Sequence, residues 1–99
     1  MIKVKVEKDS ISIIGHANYS DFGKDIVCAS VSSIVITSIE AIAKFNNKSV
    51  DIINSNDKID IIINIHDNIT DKLIDNMLTC LKEIEKQYPK NIKITNKEE

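Results

Sequence analysis

The stretch IVCASVSSIVITSIEAIAKF, residues 26–45, decides the fold, because its apolar residues recur at helical spacing. One face of the predicted helix collects Val31, Ile34, Val35, Ile42 and Phe45, with Ile39 alongside. Few charges interrupt the stretch, so we expect other elements to cover most of this helix. Asn46-Asn47 is the expected stop, because asparagine tolerates the left-handed conformation that often ends a helix.

Two strands are predicted ahead of this helix. Apolar residues at positions 2, 4 and 6 alternate with charged ones, as in a half-buried strand. Lys8-Asp9 can turn the chain into a second strand from Ser10 to about Gly15, which gives a β-hairpin. Residues 17–24 show no aliphatic periodicity and are expected to form a loop.

A second hairpin is expected after the helix, from the β-branched runs Val50–Asn54 and Lys58–Ile65. Ile61-Ile62-Ile63 lacks alternation, which suits a central strand covered on both faces. A second helix follows, capped by Thr70 or Asp71. Its apolar face holds Leu73, Met77, Leu81, Ile84 and Tyr88.

The remaining signals complete one small domain. Pro89 marks the end of the second helix, and Ile92 and Ile94 predict a short last strand. The order ββαββαβ predicts an α/β two-layer domain, residues 1–99, with two helices packed on a mixed β-sheet.

Composition narrows the function classes. All thirteen basic residues are lysines and the net charge is −2, so we expect no nucleic-acid partner. We see no apolar run approaching the ~20 residues of a membrane span, and the N-terminus alternates instead of forming a signal peptide. We therefore expect a cytoplasmic protein that does not insert into a membrane. Two cysteines make no disulfide framework.

Residues 15–28 hold both glycines of the chain, one of its two histidines and one of its two cysteines. If Asp25 is the N-cap, Cys28 is the third residue of the helix, where the helix dipole favours a thiolate. Unpaired N–H groups of that first turn can also hold an oxyanion. His16, at the end of the second strand, can take the thiol proton.

Structural interpretations of these residues remain open beside the catalytic one. His16 and Cys28 as a structural pair are about as probable as a catalytic pair, on the residues alone. Tyr19 and Phe22 either tuck into the core or line an apolar groove. His66 is expected to be a solvated loop residue, and Cys80 a small buried hydrophobe. A zinc site from these cysteines and histidines lacks the usual ligand spacing, so we expect no metal.

The segments Gly15-His16-Ala17 and Gly23-Lys24-Asp25-Ile26-Val27-Cys28-Ala29, followed by Val31-Ser32, resemble the signature of the ribosomal-processing cysteine proteases. This is a family of small bacterial α/β proteins. The similarity is strongest over residues 15–32, and the length and element order agree across the chain. Ser30 and Asn18 depart from the residues common in the family, and neither departure touches His16 or Cys28.

The resemblance implies a cysteine endopeptidase that removes the N-terminal extension of ribosomal protein L twenty-seven of the large subunit. It implies Cys28 as nucleophile and His16 as general base, without a cofactor, with Asp25 and Ser32 in supporting positions. It also implies a homodimer and a mobile substrate loop, residues 17–24, bordered by Gly15 and containing Tyr19, Phe22 and Gly23.

A function of another class stays open at this point. A non-catalytic ribosome-assembly or peptide-binding module could share the fold and use the same loop as a clamp. The presence of both His16 and Cys28 favours the protease.

Overall fold

The computed structural model describes the backbone of residues 1–15 and 22–97, together with their side chains except those of residues 22–25. The elements follow the order ββαββαβ: β1 (Ile2–Val6), β2 (Ser10–Ile14), α1 (Phe22–Phe45), β3 (Val50–Ser55), β4 (Lys58–Ile63), α2 (Asn68–Gln87) and β5 (Ile92–Asn96). The predicted fold class is confirmed: two helices pack on a five-stranded mixed sheet.

The strands lie in the order β3-β4-β2-β1-β5. β1 and β5 are parallel, with Lys3 beside Lys93, while the other neighbouring strands are antiparallel. β2 therefore lies in the middle of the sheet, and its carboxyl end leads directly into Gly15. β3 and β5 are the two edge strands.

The core is aliphatic and lies between the sheet and the helices. It is built from the alternate strand residues that face the helices and from the inner faces of α1 and α2; its fully buried members include Val4, Ile11, Ile13, Val31, Ile42, Ile61, Met77 and Leu81. Apolar burial of this kind is the main favourable term in folding. The opposite face of the sheet carries polar and charged residues such as Lys3, Lys5 and Ser12.

Because the helices cover only one face, the prediction that β4 is covered on both faces is wrong. Ile61 and Ile63 are buried beneath the helices, whereas Ile62 is half-buried on the other face. The position of β4 inside the sheet is confirmed. A run of isoleucines hides the alternation that normally distinguishes a one-sided strand from a two-sided one.

The helix starts differ from the predicted caps. α2 begins at Asn68, and its N-cap is Asp67, whose Oδ1 accepts the N–H of Thr70 at 2.7 Å. The predicted cap at Thr70 or Asp71 is therefore wrong. Thr70 instead is buried and its hydroxyl lies 3.1 Å from the Ser49 hydroxyl. Several Asp and Thr residues offer comparable caps here, and tertiary packing selects among them.

The end of α1 is confirmed, since the helix stops at Phe45, immediately before Asn46-Asn47. The proposed left-handed residue is wrong, because no non-glycine residue has a positive φ in the part of the chain that the structure describes. The chain turns instead through Asn46, whose side-chain oxygen accepts the N–H of Lys48 at 3.0 Å.

The exposure of α1 corrects two expectations. The stretch Ile26–Phe45 has a mean hydropathy of 2.0, so by length and composition it could cross a membrane, as a core helix of a soluble protein also could. Only 28% of that stretch is buried, although we expected most of it to be covered. Ile26, Ile36 and Phe45 are exposed because none of the described elements packs over them.

Candidate functional site

Gly15 fixes the backbone where β2 ends. Its φ is +82°, and its N–H donates to the carbonyl oxygen of Asp57 at 2.7 Å. A β-carbon at this position would lie 3.0 Å from the carbonyl oxygen of Met1. Both the positive φ and the close approach of neighbouring backbone therefore require glycine here. The next residue, His16, lies outside the described residues, so its side chain is not placed.

Cys28 lies on α1, half-buried, and packs against the edge of the hydrophobic core. It is the seventh residue of the helix, since α1 begins at Phe22. The prediction that Cys28 belongs to the first helical turn, with Asp25 as N-cap, is therefore wrong. Capping is worth only about 1 kcal/mol, so a longer helix can absorb a favourable cap residue into its interior.

This longer helix changes the expected chemistry around the thiol. In an α-helix the N–H of each residue donates to the carbonyl four residues earlier, so the Cys28 N–H is directed to the Lys24 carbonyl. The Cys28 N–H is therefore not an oxyanion donor in this conformation. The macrodipole effect also falls off within the first turn, so it contributes little at the seventh residue.

Ser32, which the sequence suggested as a supporting residue, lies on the same helix as Cys28. It follows Cys28 by four residues on α1, so the two share one side of the helix, and it is half-buried like Cys28. Asp25 lies within the backbone of α1, and its side chain is outside the described set.

The predicted loop 17–24 is shorter than expected. Phe22, Gly23 and residue 24 belong to the first turn of α1, so they are not loop residues. A helix gains one hydrogen bond for each residue added, and this offsets the roughly 1 kcal/mol cost of a glycine in its interior. Tyr19 and the rest of the predicted substrate loop lie outside the described residues, as does the predicted contact between His16 and Cys28.

His66 is anchored by two carboxylates. Its Nε2 lies 2.7 Å from Oδ1 of Asp9, and its Nδ1 lies 2.9 Å from Oδ1 of Asp71. These hydrogen bonds, first to Asp9 and then to Asp71, raise the pKa of His66 above 6.5. The prediction of an exposed residue with polar neighbours is confirmed, but sequence reasoning missed these long-range partners.

The position of His66 separates it from the candidate site. Asp9 immediately precedes β2, whereas Gly15 immediately follows it. Asp9 and Gly15 flank this five-residue strand, so six residue steps place them roughly 20 Å apart. His66 therefore ties the far end of the sheet to α2 and is not beside the residue that leads into His16.

Cys80 lines an open groove between the two helices. The groove has a volume of about 240 Å³, and its walls are formed by Ser33, Ile34, Thr37, Ser38, Asn76 and Cys80. Cys80 is half-buried, so the prediction of a buried hydrophobe is only partly right. Thr37 follows Cys28 by nine residues, about two and a half turns, so the groove and Cys28 lie on opposite sides of α1.

The chemistry available near the candidate site is that of a thiol. Neither Cys28 nor Cys80 is in a disulfide. Among the side chains that the structure describes, those of residues 1–15 and 26–97, no three or more of His, Cys, Asp or Glu come together in a way that could hold a metal ion.

The fold is a two-layer α/β domain, and a half-buried thiol lies on its first helix. These features define a small α/β protein that is suited to cysteine chemistry. The family model described as Cysteine protease Prp matches residues 1–93. The chain belongs to this family of cysteine proteases.

Two curated relatives agree with this assignment. The Ribosomal processing cysteine protease Prp of Staphylococcus aureus strain Mu50 is 31% identical over 86 residues, which cover 84% of this chain and 81% of the relative. The protein of the same name from strain NCTC 8325 matches equally well.

Solved structures show the same fold. The S. aureus protease Prp with a substrate peptide matches with a TM-score of 0.78 at 26% identity, covering 97% of both chains. The same protease with a covalently linked product peptide gives a TM-score of 0.80 at 25% identity, again covering 97% of both chains. SMU.848 from Streptococcus mutans shares the fold at 20% identity, with a TM-score of 0.77, covering 96% of this chain and 90% of its own.

Proposed function

We propose that this chain is a cysteine endopeptidase that removes the N-terminal extension of ribosomal protein L twenty-seven during assembly of the large ribosomal subunit. The single observation that carries the proposal is the family match over residues 1–93. The names of the S. aureus relatives, which describe ribosomal processing, support the substrate class.

In the proposed reaction His16 accepts the proton of the Cys28 thiol, and the Cys28 Sγ attacks the carbonyl carbon of the scissile peptide bond. His16 then gives this proton to the leaving amine, which leaves the acyl group on Cys28 as a thioester. Water then attacks the thioester carbonyl carbon while His16 takes its proton. The C–S bond breaks, the carboxylic acid product leaves, and His16 returns the proton to the Cys28 Sγ. A covalently linked product peptide on the S. aureus relative supports a covalent route.

Two observations support the assignment of roles. Cys28 is half-buried at the margin of the core, so its thiol is positioned without being fully enclosed. Gly15, the residue directly before His16, has a φ that only glycine adopts easily, and this restricts the direction in which the chain enters His16. Ser32 is in a position to contact or orient the thiol, and Asp25 is proposed as a second supporting residue.

The proposed enzyme acts as a cytoplasmic homodimer and needs no metal or cofactor. The thiol and imidazole supply the nucleophile and the proton carrier, so the reaction requires neither. The exposed apolar residues Ile26 and Phe45 of α1 support contact with a second copy. The net charge of −2 and the absence of arginine support a protein that does not bind nucleic acid.

The test is cleavage of the unprocessed ribosomal protein from the same organism by three proteins: the wild type, Cys28→Ala and Cys80→Ala. We expect Cys28→Ala to remain folded and lose cleavage, and Cys80→Ala to cleave almost normally. Circular dichroism checks folding, and mass spectrometry identifies the products. A Cys28→Ala protein that cleaves at the wild-type rate overturns the nucleophile. A wild type that binds the substrate without cleaving it supports the non-catalytic module instead.

A further inference from the structure

The side of α1 that carries Cys28 continues as an exposed apolar surface. Ser32 and Ile36 follow Cys28 at successive intervals of four residues, so the three lie along one side of the helix. Ile36 is 56% exposed, which makes it the most exposed large apolar residue of the described chain. An isoleucine in that position leaves a branched apolar side chain in solvent, two turns along α1 from the proposed nucleophile.

The edge strand β3 supplies a second exposed isoleucine, on the face of the sheet that the helices cover. Ile52 pairs with Ile61, which is fully buried beneath the helices, so Ile52 also faces the helical layer. It nevertheless is 42% exposed, because β3 is an edge strand. Among the described helices, α1 makes the main contact with β3, whereas α2 packs near β5. We call Ile36 and Ile52 together the apolar ledge.

We propose that the apolar ledge binds an apolar side chain of the peptide substrate, about three to four residues from the scissile bond. This inference rests on the proposed function. Ile36 lies eight residues after Cys28, roughly 12 Å along the helix axis. An extended peptide advances about 3.4 Å for each residue, so three to four residues span that distance.

The peptide is favoured over other occupants because Ile36 lies on the same side of α1 as the residue that would attack it. Cys28, Ser32 and Ile36 form one uninterrupted line on α1, so a chain held at Cys28 must pass beside the ledge if it runs along the helix. The groove near Cys80 lies on the other side of α1 and offers no such continuity. Solved relatives that hold substrate and product peptides support a peptide as the class of ligand.

The first test measures binding with the Cys28→Ala protein, so that it is independent of cleavage. The probe is a fluorescently labelled peptide with the sequence of the unprocessed ribosomal extension. A set of peptides replaces one apolar residue at a time with serine. We expect one replacement, three to four residues from the scissile bond, to weaken binding about tenfold, as expected for losing an apolar side chain from a pocket.

The same peptides are then measured with Ile36→Ser, Ile52→Ser and the matched control Ile53→Ser, each in the Cys28→Ala protein. Ile53 is 55% exposed but pairs with Asp60 on the opposite face of the sheet. Ile36→Ser and Ile52→Ser should each weaken binding of the unsubstituted peptide about tenfold. In these two variants, the serine replacement that weakened binding to the parent protein should cause no further loss of affinity. Ile53→Ser should bind within twofold of its parent protein.

The outcomes separate this inference from the proposed function. The proposal that the ledge binds the substrate is overturned if Ile36→Ser and Ile53→Ser change the peptide affinity equally. It is also overturned if the loss of affinity is the same for every peptide. A dimer that becomes monomeric on Ile36→Ser, with the same loss for every peptide, assigns the surface to a second copy and also overturns it. Failure of the wild type to cleave, with selective binding at the ledge intact, counts against the protease and not against the ledge.

Discussion

The N–H of Gly15 donates to the carbonyl oxygen of Asp57 at 2.7 Å, which joins the end of β2 to the turn between β3 and β4. This bond lies directly before His16, so the central strand and the neighbouring hairpin together fix the backbone that enters the candidate site. The Met1 carbonyl on the other side leaves no space for a side chain at Gly15. The start of the candidate site segment is thus fixed by the end of β2, the turn between β3 and β4, and the residue before β1.

Gly15→Ala is expected to destabilise the protein by about 1–2 kcal/mol, because an alanine is strained at a φ of +82°. The clash with the Met1 carbonyl adds to this cost. Urea unfolding at neutral pH measures the change.

The other glycine provides a control of opposite sign. Gly23 lies within α1, where alanine is favoured over glycine by up to about 1 kcal/mol. Gly23→Ala should therefore leave stability unchanged or raise it. If both alanine variants unfold at the same urea concentration, the special backbone role of Gly15 is wrong.

His16→Ala is expected to lower kcat/KM about 10²–10⁴-fold, the range that a general base contributes. His66→Ala is the matched control, because His66 lies at the far end of β2 and contacts Asp9 and Asp71. It should cleave almost normally at a temperature where it stays folded. Comparable losses of kcat/KM in both variants would show that His16 affects cleavage through protein stability and not through proton transfer.

His66 should make stability depend on pH. Its pKa is raised in the folded protein, so its stabilising contribution is fully present below the unfolded value of about 6.5 and is lost as the pH rises through the folded value. The difference in Tm between the wild type and His66→Gln should therefore be larger at about pH 5.5 than at about pH 9. The effect is expected to be small, because all three side chains are largely solvated.

The pH effect requires both carboxylates. Asp9 reaches His66 from the turn between β1 and β2, and Asp71 from the first turn of α2. The double variant Asp9→Asn with Asp71→Asn should remove the pH-dependent difference. A Tm difference that stays constant between the two pH values would contradict protonation of His66 as its origin.

Glu85 is expected to stabilise the edge strand β5 and to limit its pairing with other chains. Its Oε2 accepts the N–H of Ile94 at 2.8 Å, on the edge of the sheet where no further strand pairs. Glu85→Ala is expected to destabilise the protein by about 1.5–3 kcal/mol, the range for a hydrogen bond to a charged group. Thermal unfolding measures the change, and light scattering detects any aggregation through the open edge.

Glu83 on the same helix is the matched control. Its carboxylate forms only an exposed contact with Lys86 at 3.9 Å, so Glu83→Ala should change stability by less than about 1 kcal/mol. Glu85→Gln should retain part of the lost stability, because the amide oxygen can still accept the Ile94 N–H. Equal effects of Glu83→Ala and Glu85→Ala would show that the bond to β5 contributes nothing.

The element order could be predicted from the sequence because it depends on local patterns. Alternation in residues 2–6, the helical spacing after Ile26 and the Pro89 stop each act within a few residues. The motif around Gly15 and Cys28 was likewise visible in the sequence, and the family match is in accord with it. The glycine at position 15 was visible in the sequence, but the Met1 carbonyl that leaves no room for a side chain there was not.

The sequence by itself determined seven elements, their type and the segment that contains His16 and Cys28. Only the tertiary structure decided where the helices begin, which face of the sheet they cover and which residues meet across the chain. The start of α1 at Phe22 and the cap of α2 at Asp67 are selected from several nearby candidates that differ by about 1 kcal/mol, less than packing contributes. The Asp9–His66 contact spans 57 positions, and no local pattern encodes such a pair because chain folding alone brings its members together.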